Sequence, residues 1–77
     1  MATVNVYSRQ GCHLCEQLIE ELLPMIRGRL DLDIRDIDTD PVWHERFWQD
    51  IPVVEYDGKV ICRHFLDPAA ITGILRR

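Results

Sequence analysis

Nowhere in its 77 residues does the chain hold an apolar run near the ~20 residues needed to span a bilayer as a helix. Positive charge is also scarce: 9 Lys and Arg stand against 13 Asp and Glu, for a net charge of −4. That balance argues against nucleic acid or an anionic membrane as partner, since both are held by an excess of basic side chains. The start, Met1-Ala2-Thr3-Val4-Asn5, lacks a basic region followed by an apolar block, so no signal peptide is expected and a cytoplasmic location follows. Cysteine is sparse and odd in number, three in all, which speaks against a framework of structural disulfides. Internal repeats, linkers and low-complexity segments are missing, so residues 1–77 read as a single domain. So small a core implies a marginal fold, on the order of 4–12 kcal/mol in total.

What the chain does hold is Cys12-His13-Leu14-Cys15, placed between two different periodicities. Before it, Val4 and Val6 alternate with Thr3, Asn5 and Tyr7, a strand pattern over residues 3–7. After it, Cys15, Leu18, Ile19, Leu22, Leu23 and Ile26 recur at helical spacing, with Gln17, Glu20 and Glu21 on the other face. Two cysteines three apart at a helix start share one face, at a separation that suits a disulfide. The first also meets the unpaired N–H groups and the positive end of the helix, which favour a thiolate. In a cytoplasmic chain, such a pair beside a strand–helix unit reads as a reversible dithiol with one activated sulfur.

Further along, Pro24 falls inside the helical pattern and predicts a kink, with Gly28 as the stop. Leu30, Leu32 and Ile34 alternate with Asp31, Asp33 and Arg35, a half-exposed strand whose charges suit a sheet edge. Ile37 falls out of that alternation, which marks a bulge or the strand's end. Asp40-Pro41 and Asp67-Pro68 each look like an N-cap followed by a proline in the first helical position. The first opens a short helix with Trp43 and Phe47 on one face, and the second a last helix with Ile71, Ile74 and Leu75. Asp57-Gly58 between residues 52–56 and 59–63 is a strong hairpin signal. The order is βαβ and then αββα: an α/β fold with one four-stranded mixed sheet, helices on both faces, residues 3–7 central and 30–36 at an edge.

Other chemistry stays open at the level of residues. Cys12, Cys15, Cys62 and His64 form a donor set adequate for tetrahedral zinc, although zinc pairs usually sit on tight turns and this pair opens a helix. A non-catalytic interaction domain, with Trp48 on a partner surface, is the other alternative. His13 is either a plain exposed residue or, when protonated, a group that tunes the thiolate. Arg9 is either a solvated charge or an anion contact.

The element order, together with Val6-Tyr7-Ser8, Cys12-His13-Leu14-Cys15, Asp36-Ile37-Asp38 and Ile51-Pro52-Val53-Val54, resembles the thioredoxin superfamily and specifically its short glutaredoxin-like proteins. The resemblance implies a thioredoxin-like fold and a thiol–disulfide oxidoreductase active in cell redox homeostasis. It makes Cys12 the nucleophile, Cys15 the resolving thiol, and Pro52 a cis-proline whose loop faces the cysteines. Ile51 would offer its backbone to an extended substrate segment. Arg9 falls where glutaredoxins often carry a lysine that meets the glutathione carboxylate. It implies no tightly bound cofactor or metal, a disulfide-bearing protein or small thiol as substrate, a cellular dithiol or glutathione as reductant, and a monomer. Two departures bear on glutathione: Asp50 replaces the usual threonine before Val-Pro, and Cys62-Arg63 replaces Gly-Gly, so weaker use of glutathione is expected.

Overall fold

Strand β1, Thr3–Ser8, is paired along both edges in the computed structural model, which describes residues 2–76. On one side it runs parallel to β2, Asp31–Asp36, with Thr3 opposite Asp31 and Ser8 opposite Asp36. On the other it runs antiparallel to β3, Val53–Tyr56, with Tyr7 opposite Val53. Strand β4, Lys59–Arg63, completes the order β2-β1-β3-β4, so β1 is central and β2 an edge, as the alternation of polar residues predicted.

Strand alternation sends neighbouring residues to opposite faces. Val4, Val6 and Val54 pack against α1, His13–Ile26, and α3, Pro68–Leu75, through Leu18, Leu22, Ile26, Ile71 and Ile74. Tyr7 and Val53 face the other way, onto Ile37 and onto Phe47 of α2, Pro41–Phe47. Helices therefore cover both faces.

Local chemistry fixes the joints. The Asp40 carboxylate accepts from the Val42 and Trp43 N–H groups at 2.9 and 3.4 Å, and Asp67 does the same for Ala69 and Ala70 at 3.1 and 3.3 Å. Asp57 and Gly58 both have positive φ, 54° and 75°, as a two-residue hairpin whose twist matches its strands requires. Ile37 ends β2 by starting one turn of 3-10 helix, Ile37–Thr39, and is fully buried there.

Two local expectations are refined. Helix α1 continues through Pro24 to Ile26, and Gly28 follows at φ 76°. Proline removes one donor, to the carbonyl of Glu20, on an exposed side of the helix where water can satisfy it. Ile34 lies 51% exposed although Leu30 and Leu32 on its alternation pack against the core.

The register brings four segments to one end of the sheet. Ser8, the last residue of β1, stands opposite Asp36, where the chain turns towards Asp38. Tyr7 stands opposite Val53, just after Ile51-Pro52, and Val53 stands opposite Arg63, where β4 ends. Cys12 to Cys15 follow from that same end of β1.

Candidate active site

Cys12 and Cys15 are joined in a disulfide with Cα atoms 5.2 Å apart, inside the range that the bond requires. Cys12 is the N-cap of α1, with extended backbone, and Cys15 lies one turn into the helix. The Cys15 N–H donates to the Cys12 sulfur at 3.2 Å. That donor is one of the helix's unpaired N–H groups, so the cap position aims a fixed hydrogen bond at Cys12 in a way that would favour its thiolate. The two sulfurs differ in access: Cys12 is half-buried and Cys15 is 2% exposed.

The residues around the pair are engaged with one another. Arg9 Nη2 meets Asp38 Oδ2 at 3.1 Å, and His44 Nε2 approaches the other oxygen of Asp38 at 3.9 Å. The His13 side chain is fully exposed, with Nδ1 4.0 Å from Glu16 Oε2. The Ile51–Pro52 bond is cis. The Ile51 N–H donates to the Phe47 carbonyl at 3.1 Å, and the Pro52 carbonyl accepts from the His64 N–H at 2.8 Å. Asp50, directly before this loop, has Arg63 Nε and His64 Nε2 each 4.0 Å from its carboxylate.

Cys62 and His64 do not join the cysteine pair. Cys62 stands opposite Val54 and packs on the α1 and α3 side of the sheet, where burial pushes its thiol pKa up. The strand ends at Arg63 and His64 takes φ 67°, so the alternation that would carry Cys62 and His64 to one face breaks between them. Among the described residues, no group of three or more His, Cys, Asp or Glu is placed to hold a metal ion.

Three features were not read from the sequence. The first is the Arg9–Asp38 pair; the signal for it was available, because parallel strands on either side of α1 must end side by side. The second is a polar network on the α2 side. Glu55 is buried and accepts from Asn5 Nδ2 and from the Tyr7 hydroxyl, each at 3.1 Å, while Arg35 donates to the Tyr7 oxygen at 2.9 Å. Burial raises the Tyr7 pKa, and the Asp33 hydrogen bond raises that of Arg35. The third is a shallow groove of about 60 Å³ beside the motif, between Leu14, Gln17, Leu18 and Glu21 of α1 and residues His64, Phe65 and Leu66.

Residues 3–76 match the model of the family described as Glutaredoxin-like domain (DUF836). A glutaredoxin-like protein of Dictyostelium discoideum is 28% identical over 71 residues, covering 83% of this chain and 66% of that protein. The chain thus spans about two thirds of the length of that relative. The solution structure of a Nitrosomonas europaea protein superimposes with a TM-score of 0.82 at 29% identity, covering 95% of this chain and 89% of that one. Thioredoxin 1 from Thermosipho africanus superimposes with a TM-score of 0.65 over 96% of this chain and 91% of its own; at 15% identity, that likeness concerns the fold alone.

Proposed function

The chain belongs to the glutaredoxin-like domain family within the thioredoxin superfamily, and from that premise we propose that it is a thiol–disulfide oxidoreductase working through Cys12 and Cys15. The observation that carries the reading is the cysteine pair at disulfide separation on a helix N-terminus, with an N–H group of the helix directed at the outer sulfur.

The Cys12 thiolate attacks one sulfur of a substrate disulfide. A bond forms between Cys12 and that sulfur, the substrate's S–S bond breaks, and the departing thiolate takes a proton from water. Cys15, deprotonated, then attacks the Cys12 sulfur and releases the second substrate thiol. The substrate gains two electrons and the pair becomes the disulfide. A cellular dithiol or glutathione would restore it, with no tightly bound cofactor. Lowering a thiol's pKa by one unit from ~8.5 raises its thiolate fraction near neutral pH by up to ~10-fold but cuts its nucleophilicity ~3-fold. Thiolate stabilisation therefore helps attack only modestly. It helps more when Cys12 leaves in the second step.

Arg9, His13, Ile51 and Pro52 border the pair in sequence or across the sheet end and would meet the substrate. We assign the protein to the cytoplasm as a monomer acting in redox homeostasis. The test is a pair of variants incubated with a substrate disulfide and read by mass. Cys15→Ser should accumulate the mixed disulfide on Cys12, and Cys12→Ser should form none. A mixed disulfide in Cys12→Ser equal to that in Cys15→Ser would refute the assignment.

A further inference from the structure

The inference that follows rests on the dithiol reading above and adds the substrate class. We propose that the disulfide attacked by Cys12 belongs to an extended, uncharged protein segment that carries a large apolar side chain beside its cysteine. That side chain seats in the groove between α1 and residues 64–66, and small anionic thiols such as glutathione are disfavoured.

The groove is apolar where it meets the dithiol. Leu14 lies between the two cysteines and is 40% exposed, and Phe65 across from it is 69% exposed. At about 60 Å³ the groove is far smaller than the ~300–1,000 Å³ of most small-molecule sites, so it suits part of one apolar side chain and not a whole small molecule.

The backbone that presents Phe65 is strained. The Phe65 N–H donates to the Arg63 carbonyl at 2.7 Å across His64 at φ 67°, a three-residue turn in the left-handed region that a residue other than glycine seldom adopts. Such strain persists where surrounding structure holds it, often at ligand clamps. Here the hold is the His64 N–H on the Pro52 carbonyl at 2.8 Å, which ties the groove to the loop that would border the substrate.

Charge points the same way. Arg9, the basic side chain next to the motif, is paired with Asp38 at 3.1 Å, while Arg63 lies 4.0 Å from Asp50. An anion at Arg9 would compete with Asp38, on a chain of net charge −4.

The experiment follows single-turnover oxidation of the reduced protein by four disulfides: bis(2-hydroxyethyl) disulfide, oxidised glutathione, and the symmetrical disulfides of two short neutral peptides with Phe or Ser next to the cysteine. Rates are expressed relative to the first, which is small and uncharged. The Phe peptide should outpace the Ser peptide by about 5-fold, the scale of partial burial of one aromatic side chain. Phe65→Ser, at a position too exposed to threaten the fold, should bring that ratio close to one. Asp38→Asn, which frees Arg9, should raise the relative rate of oxidised glutathione about 3-fold, the scale of one exposed ion pair. Equal rates for the two peptides, or a ratio unchanged in Phe65→Ser, would overturn the proposal, as would self-association through the groove that Phe65→Ser abolishes. Failure of the wild-type protein to reduce even bis(2-hydroxyethyl) disulfide would instead refute the dithiol reading, and this inference with it.

Discussion

Cys12 and Cys15 are the same residue type made unequal by where a helix begins. The cap position gives Cys12 a donated N–H and partial exposure, while one turn of helix carries Cys15 among buried neighbours. This difference was legible in the sequence, because spacing and apolar periodicity suffice to place both residues. The partner of Arg9 was not read, although the parallel pairing of β1 and β2, which ends both strands side by side, carried the signal for its contact with Asp38. Cys62 illustrates a third environment. Burial, partly offset by the backbone of Asp67, raises its pKa. In the oxidised protein it is the free thiol, and on unfolding it returns to the ordinary range near ~8.5. Above that pH the unfolded chain holds fewer protons than the folded one, so stability is at its full value below the unfolded pKa and is lost as pH rises towards the folded value. Urea midpoints of the oxidised protein should therefore fall between neutral pH and about pH 9.5, and Cys62→Ala should lessen the fall. The same decline in both proteins would contradict the assignment.

At the scale of elements, caps and turns were read well because their causes are local. An aspartate before a proline satisfies the first N–H groups of α2 and α3, and Asp57-Gly58 accepts the positive φ values that its hairpin needs. Pro24 was harder, since its missing donor and the apolar stripe around it pull in opposite directions. Packing of Leu22 and Ile26 against the sheet wins, and α1 continues. A proline in a helix interior costs ~3 kcal/mol relative to alanine, and restricting the unfolded chain offsets up to ~1 kcal/mol of that. Pro24→Ala, at an exposed site, should thus raise stability by about 2–3 kcal/mol in a urea melt. A lower midpoint would mean that Pro24 sits where the native backbone requires it. The turn at His64 and the open position of Phe65 had no such local signal, because the tie between His64 and Pro52 is made across the sheet end.

The whole molecule is a device for bringing four chain segments to one end of a sheet. The parallel β1–β2 pair sets Asp38 beside Arg9, and the antiparallel β1–β3–β4 run sets Pro52 and residues 63–65 at the same end as the cysteine pair. The order of strands was legible because a βαβ unit followed by a hairpin leaves few ways to build one sheet with helices on both faces. Which side chains would meet there was not, beyond the motif itself. The claim that this end of the fold makes two chemically distinct sulfurs is open to direct measurement. The fully reduced protein is labelled with iodoacetamide across a pH series, and the rate at each cysteine is read by mass after digestion. Cys12 should label fastest and keep its rate down to about pH 6–7, where ordinary thiols are largely protonated, while Cys15 and Cys62 label slowly. Faster labelling of Cys15 than of Cys12 in that range would contradict the account.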